Sequence, residues 1–346
     1  MINSQSLNYW RKVSNNLITW KKPFKSIFKK DNFSWFEGGR VNLYENLILR
    51  NNKNKIAITC IDKNNQIKSY TFRQLHELVL ILESNLEIYI KKKNSLRIMI
   101  QASASIESAV SMLMCMKNGF HYCVLFEDLE INAIDKRIKL FKPDIFLSRN
   151  LKNSKFLKKK LIFIEIRKNL KTKKTNYKQK KLKYFESNRD LFTLFTSGST
   201  GDPKGIVHST GGYFCYALYT CQRQFGLNSE SIILTASDAG WINGHTYSLI
   251  GPLGLSSHTI LLETPMLLLN KNLLKKIFSL KVTVLYLPVT IIRLMREVYK
   301  SKIFKKHNIK LLGSMGEPLA KEVGNFFSRL FNLKKKAIIN TYYQTE

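Results

Sequence analysis

Two hydrophobic periods alternate along this chain. Short apolar runs of strand length fall at 56–61, 96–100, 122–126, 144–148 and 191–195. Between them, apolar residues recur at three- and four-residue spacing, which predicts helices over 71–90, 103–118 and 131–141. Thr71 reads as an N-cap with Phe72 and Leu75 behind it, Gly119 closes the second helix, and Pro143 follows the third. The alternation resumes beyond 205, with strands expected at 232–236, 259–263, 282–287, 310–313 and 337–341. Helices are expected near 212–225, 244–255, 269–279, 289–299 and 320–330. Strand–helix alternation of this kind predicts an α/β fold with largely parallel sheets. The first forty-odd residues are aromatic and basic without a clear period, and no internal repeat of useful length is present. Residues 151–183 are lysine-laden, with Glu165 the only acid and one strand expected at 161–166; they read as a connection crossing the surface.

Composition changes that picture little. At 346 residues there is room for one large or two medium domains, and the hydrophobic fraction of 44% is ordinary. No apolar run approaches the length of a bilayer span, and residues 1–10 lack a signal-peptide core, so a cytoplasmic protein is expected. The five cysteines, Cys60, Cys115, Cys123, Cys215 and Cys221, form no C-x-x-C pair and no metal spacing; they read as reduced, mostly buried thiols. The net charge of +33 raises nucleic acid or an anionic membrane as partners. Lysine, however, greatly outnumbers arginine, the residue of phosphate and base forks. Lys, Asn and Ile together are what an AT-rich genome writes. The charge is therefore read as drift on solvated faces that also helps attract an anionic small substrate, with no specific nucleic acid and no membrane partner.

The densest chemistry is at 196–205, Thr-Ser-Gly-Ser-Thr-Gly-Asp-Pro-Lys-Gly, directly after the apolar run 191–195. Small hydroxyl and glycine residues pack no core there. They present backbone N–H and side-chain O–H donors; Gly198, Gly201 and Gly205 allow close approach, and Lys204 adds a point charge on what is expected to be a loop. That array suits a polyphosphate. It is not the common P-loop, because Pro203 and Lys204 precede the last glycine. A flexible linker is the bland alternative, but linkers rarely lie between two apolar runs, here 191–195 and 206–207. The order of residues resembles the phosphate-binding signature of the adenylate-forming (AMP-binding) enzyme superfamily.

Further segments narrow the resemblance. Asp238-Ala239-Gly240-Trp241-Ile242-Asn243-Gly244-His245 resembles the Asp-x-Gly-Trp-x-x-Gly-His segment of acetyl- and propionyl-CoA synthetases. Gly313-Ser314-Met315-Gly316-Glu317-Pro318 resembles their Gly-Ser-x-Gly-Glu-Pro, and Asn340-Thr341-Tyr342-Tyr343-Gln344-Thr345-Glu346 their Asp-Thr-Trp-Trp-Gln-Thr-Glu. Residues 35–42 look like the N-terminal segment of acetyl-CoA synthetases. The resemblance implies ATP or AMP contacts at Thr196, Ser197, Gly198, Ser199, Thr200, Gly201, Lys204, Gly316, Glu317, Pro318 and the run Asn340, Thr341, Tyr342, Tyr343, Gln344 and Thr345. It implies an acyl pocket of Trp241, Ile242, Met315 and Tyr343, a CoA contact at Asn243, Mg²⁺ on Glu346, and catalytic roles for Lys204, Thr345 and Glu346. This chain departs at Tyr343 (the family's Trp), at Ile242 and Met315 (small aliphatics), at Asn340 (Asp) and at Asn243 (Thr). The family's arginine pair for the CoA nucleotide is not recognisable.

The fold that the resemblance implies is one of two stacked αβ subdomains lacking the C-terminal domain. Residues 1–48 would be the N-terminal segment and 49–346 an AMP-binding domain incomplete at its end. The family's small barrel, hinge and mobile C-terminal domain lie beyond the counterpart of Glu346. The remainder is expected on a separate polypeptide, or lost to a frameshift or an incomplete gene model. The implied reaction is a short-chain acyl-CoA synthesis: acetate or propionate attacks ATP to give an acyl-adenylate and pyrophosphate, and CoA then displaces AMP. The alternative is a nucleotide-binding remnant without ligase activity. A serine hydrolase is set aside because Ser199 lacks the Gly-x-Ser-x-Gly elbow, and a metal enzyme because His245, His258 and Glu263 show no ligand spacing.

Overall fold

The computed structural model describes residues 4–93, 95–150, 161–171, 181–197 and 202–346. Two sheets form its frame. The six-stranded sheet runs in the order Pro203–Ser209, Asp190–Ser197, His121–Leu125, Arg97–Gln101, Ile145–Ser148, Ile162–Glu165. All its pairings are parallel except that of the first two strands. The seven-stranded sheet runs Ile338–Asn340, Leu311–Met315, Val284–Pro288, Ile232–Thr235, His258–Leu262, Ile56–Ile61, Ile67–Thr71, again parallel but for the last pair. The expected α/β architecture with parallel-dominated sheets is what the chain adopts.

The inner strands of both sheets read as near-continuous apolar runs because both faces are covered, whereas the edge strands Pro203–Ser209 and Ile67–Thr71 carry polar, exposed residues. Helix Ile106–Asn118 is buried from Glu107 to Lys117, held between helix Phe72–Asn85 and strands Arg97–Gln101 and His121–Leu125 of the six-stranded sheet. The main core gathers around it and around helix Thr210–Phe225. A second core lies beneath helices Lys271–Ser279, Val289–Tyr299 and Lys321–Leu330. All five cysteines are free thiols, four of them buried. Among the described residues no helix is long and apolar enough to cross a membrane.

Several elements differ from the sequence expectation. Thr71 does cap its helix, in a capping box with Gln74, but the helix Phe72–Asn85 stops at Leu86 and restarts as Glu87–Lys92. The N-terminal residues contain a helix, Ser4–Leu17, whose Leu7, Trp10, Val13 and Leu17 pack on the main core. Its three- and four-residue spacing was present, but interleaved aromatic and basic residues hid it. The segment expected as a helix at 244–255 begins as a π-helix, Gly244–Ile250, before the α-turn Gly251–Gly254. Lys204 lies on a strand, Pro203–Ser209, and not on a loop. Its backbone is committed to antiparallel pairing, with Lys204 opposite Thr196.

Candidate functional site

Thr196, which opens the hydroxyl-rich run, lies where the six-stranded sheet is met by a residue arriving from the other sheet. Thr196 is one residue from the end of strand Asp190–Ser197. Its Oγ1 donates to Glu346 Oε1 at 3.2 Å. Glu346 arrives from the other sheet, six residues past the edge strand Ile338–Asn340. The carboxyl ends of parallel strands are where open α/β sheets bind ligands. Lys204 is exposed and shares strand parity with His208. Burial holds the His208 pKa below its ordinary value, and the Thr345 backbone beside the ring works against that shift. Thr345 itself is buried, while Gln344 and Tyr342 are exposed, Tyr342 at 86%. Gly198, Ser199, Thr200 and Gly201 lie outside the described residues; Ser197 is described only as the end of its strand.

The terminal segment is bound to the strand Leu311–Met315. Thr341 donates to the Ser314 carbonyl from both its backbone N (3.0 Å) and its Oγ1 (2.9 Å), and Ser314 Oγ donates to Asn340 Oδ1 at 2.9 Å. Tyr286 from the neighbouring strand meets Thr341 Oγ1 at 2.6 Å and reaches Asn243 Oδ1 at 3.5 Å. Gly316 adopts φ +88°, a conformation that favours glycine, and its missing Cβ would face open space. Glu317, next in line, pairs with Arg293 at 2.8 Å and is followed by Pro318. The Tyr343 hydroxyl meets Thr246 Oγ1 at 3.2 Å, and Thr246 in turn meets Tyr213 at 2.6 Å. Burial pushes the Tyr343 phenol up to about 12, so it is a neutral hydrogen-bonding group at physiological pH. Met315 belongs to the cluster of Tyr247 and Tyr286 against which Tyr343 packs.

The turn 238–244 packs against Phe126, the residue directly after strand His121–Leu125. The Asp238 carboxylate accepts from the Gly240 N–H at 2.8 Å. Burial, with Glu127 and Asp128 adding to it, raises its pKa to about 6. Gly240 is required by proximity: a Cβ there would stand 2.8 Å from the Phe126 ring. Trp241 is half-exposed and packs on that ring, centroids 5.1 Å apart. Ile242 is buried within the main core. Gly244 leaves no room for a side chain, since a Cβ would lie 2.1 Å from the Asp238 carbonyl. His245 is buried with its ring stacked on Tyr122, and burial lowers its pKa to about 3. One π-helical turn thus supports two candidate residues: its N-terminus adjoins Trp241, and its Thr246 holds Tyr343.

The structure therefore brings Thr196, Thr345 and Glu346 together, and joins Asn340, Thr341 and Asn243 through Tyr286 and Ser314. It leaves Tyr342 pointing away from any packed wall. Sequence reasoning did not single out His208, Tyr213, Thr246 or Tyr286. His208 had a usable signal, its alternation with Lys204; the other three had none, because their role depends on neighbours distant in sequence. Among the described residues no group of three His, Cys, Asp or Glu side chains could hold a metal by itself. The hard oxygens of Glu346 and Thr196 fit Mg²⁺, which needs only one or two carboxylates when phosphates and water complete its shell.

A solved structure of a Brucella canis acyl-CoA synthetase resembles this chain with a TM-score of 0.75 at 21% identity, covering 88% of this chain and 58% of that one. At that identity the likeness shows the fold, that of the N-terminal part of adenylate-forming enzymes. The AMP-binding enzyme family matches residues 48–346, and the family acetyl-coenzyme A synthetase N-terminus matches residues 3–47. The chain belongs to the AMP-binding enzyme family. It is similar to the acetyl-coenzyme A synthetase of Helicobacter pylori strain HPAG1, 29% identical over 98% of this chain and 57% of the relative. It is also similar to that of Pasteurella multocida (28%, 98% and 58%) and to acetyl-coenzyme A synthetase 1 of Kluyveromyces lactis (29%, 95% and 53%). The chain spans a little over half the length of these relatives.

Proposed function

We propose that this chain is the ATP- and acyl-binding part of a short-chain acyl-CoA synthetase that activates acetate or propionate as an acyl-adenylate before transfer to CoA. The observation that carries this reading is the hydrogen bond between Thr196 and Glu346, which joins the start of the hydroxyl-rich run to the Glu346 side-chain carboxylate at the carboxyl ends of both sheets. The reaction brings a carboxylate to a triphosphate, and both are anions. Catalysis then consists of positioning and charge neutralisation more than covalent chemistry. In this reading Lys204 and the backbone of 196–201 hold the phosphates, with Thr345 at the α-phosphate. Glu346 with Thr196 would hold Mg²⁺, which supplies charge neutralisation there when bound. The turns 316–318 and 340–344 receive the adenosine, Trp241, Ile242, Met315 and Tyr343 bound the acyl group, and Asn243 contacts CoA. The division at residue 48 into an N-terminal segment and an adenylation domain belongs to the same proposal.

The alternative reading is a nucleotide-binding remnant without ligase activity; the chain spans 57% of its Helicobacter pylori relative. Acetate-dependent ATP–pyrophosphate exchange separates the two. It is measured on the purified chain alone and with the unmatched C-terminal part of that relative added as a separate polypeptide. Exchange in either arm supports the ligase; none in both leaves the remnant. Lys204→Ala is expected to weaken ATP binding about tenfold, the worth of one charge-assisted hydrogen bond, with the melting temperature unchanged. Unchanged ATP affinity in that variant would sink the phosphate assignment.

A further inference from the structure

We propose that Glu127 is a positioning residue for the turn that carries Trp241, acting through Phe126 and held in place by the buried guanidinium of Arg149. The functional weight of this rests on the reading of Trp241 as a site residue; the positioning itself does not.

Arg149 follows strand Ile145–Ser148 and is 4% exposed. Its Nη1 lies 2.6 Å from Ser103 Oγ, 2.7 Å from Glu127 Oε2 and 2.6 Å from Glu263 Oε1, three acceptors sharing its two N–H groups, while Nε faces Glu107 Oε2 at 3.5 Å. Arg167 closes the rim by pairing with Glu107 at 3.0 Å. Glu263 comes from the seven-stranded sheet, directly after strand His258–Leu262; Glu107 and Glu127 belong to the other layer. Desolvating one cation and three carboxylates is costly, and apolar side chains of the same volume would close the core as well. The arrangement therefore suggests a fixed geometry as its product.

That geometry ends at Phe126. The Glu127 carbonyl accepts from Gln101 Nε2 at 3.0 Å while its carboxylate is held by Arg149, so residue 127 is pinned by backbone and side chain together. The neighbouring Phe126 ring is the surface on which Gly240 and Trp241 close. Glu127 also acts on the turn by charge. Burial is the largest cause that raises the Asp238 pKa; the Gly240 N–H that it holds works against the shift, and Glu127 and Asp128 add to it. The Glu127 carboxylate thus holds the floor beneath the turn and adds to the upward shift of the residue that ties it.

Glu127→Gln keeps the volume and leaves Arg149 paired with Glu263 and Glu107. The readout is the emission of Trp241, isolated by difference against Trp241→Phe, followed in the full chain from pH 4.5 to 7.5. In the unsubstituted protein it should show an inflection near 6, from Asp238. Glu127→Gln is expected to move that inflection down by at least half a pH unit and to raise acrylamide quenching of Trp241 about twofold. Glu127→Asp keeps the charge but shortens the arm, so it should restore the inflection and not the protection. An inflection and quenching unchanged in a folded Glu127→Gln protein, or restored together or not at all by Glu127→Asp, overturn the proposal. Should Glu127→Gln fail to fold, the Glu127→Asp comparison decides alone: quenching must rise with the inflection in place. None of these signals needs a substrate, so absence of pyrophosphate exchange with these shifts present removes only the enzymatic reading.

Discussion

Asp238 shows how one residue carries both a local structure and a cost. Its carboxylate ties the turn through the Gly240 N–H, yet burial and the charges of Glu127 and Asp128 raise its pKa to about 6. An acid whose folded pKa exceeds its unfolded value near 4 binds its proton more tightly when folded. Stability from this group is therefore present at low pH and is lost as pH rises from about 4 through 6, by roughly 3 kcal/mol. Asp238→Asn retains an acceptor for Gly240 and carries no charge. It is expected to be more stable than the unsubstituted protein at pH 7.5 and to lose that advantage by pH 4, read by urea unfolding at the two pH values. The identity of residues 238, 240 and 244 was legible as a motif. Why two of them are glycine was not: Gly240 answers to Phe126 and Gly244 to the Asp238 carbonyl, approaches that only the folded turn creates.

At the scale of elements, the helix pair Phe72–Asn85 and Ile106–Asn118 is joined by Lys117 and Glu83, an ion pair at 2.6 Å with side chains 4% and 2% exposed. Removing one partner of such a pair strands a buried charge. Lys117→Met is expected to lose about 3–5 kcal/mol of unfolding free energy, and adding Glu83→Met should recover most of it. Equal loss in the double variant would show that packing, not charge, sets the effect. The cap of the first helix was readable at Thr71, because a cap is a contact between residues three apart, here Gln74; the Ser105 cap of the second was not singled out, and that helix starts at Ile106 rather than at the expected 103. The break at Leu86 and the lysine strand at 203–209 were not readable, because the first answers to packing beneath the helix and the second to pairing with Asp190–Ser197.

Across the whole molecule, the N-terminal helix Ser4–Leu17 clasps helix Thr210–Phe225 through Trp10, whose ring lies 4.9 Å from Tyr219 and 6.3 Å from Trp35. Trp10→Ala is expected to cost roughly 2 kcal/mol, less than a fully buried tryptophan, and to speed amide exchange in residues 4–17 while the central strands stay protected. Persistent protection of that helix would mean its other contacts suffice. The sequence by itself determined the alternation of strands and helices, the parallel-sheet class, the Thr71 cap, and the order of the motif segments, since each is written in neighbours or in periodicity. Only the tertiary structure decided that Ile56–Ile61 pairs with His258–Leu262, some two hundred residues on, that Thr196 meets Glu346, and that Arg149 gathers acids from both layers. Those contacts join residues whose separation along the chain carries no periodic signal, so they exist only once both sheets have closed on their shared core.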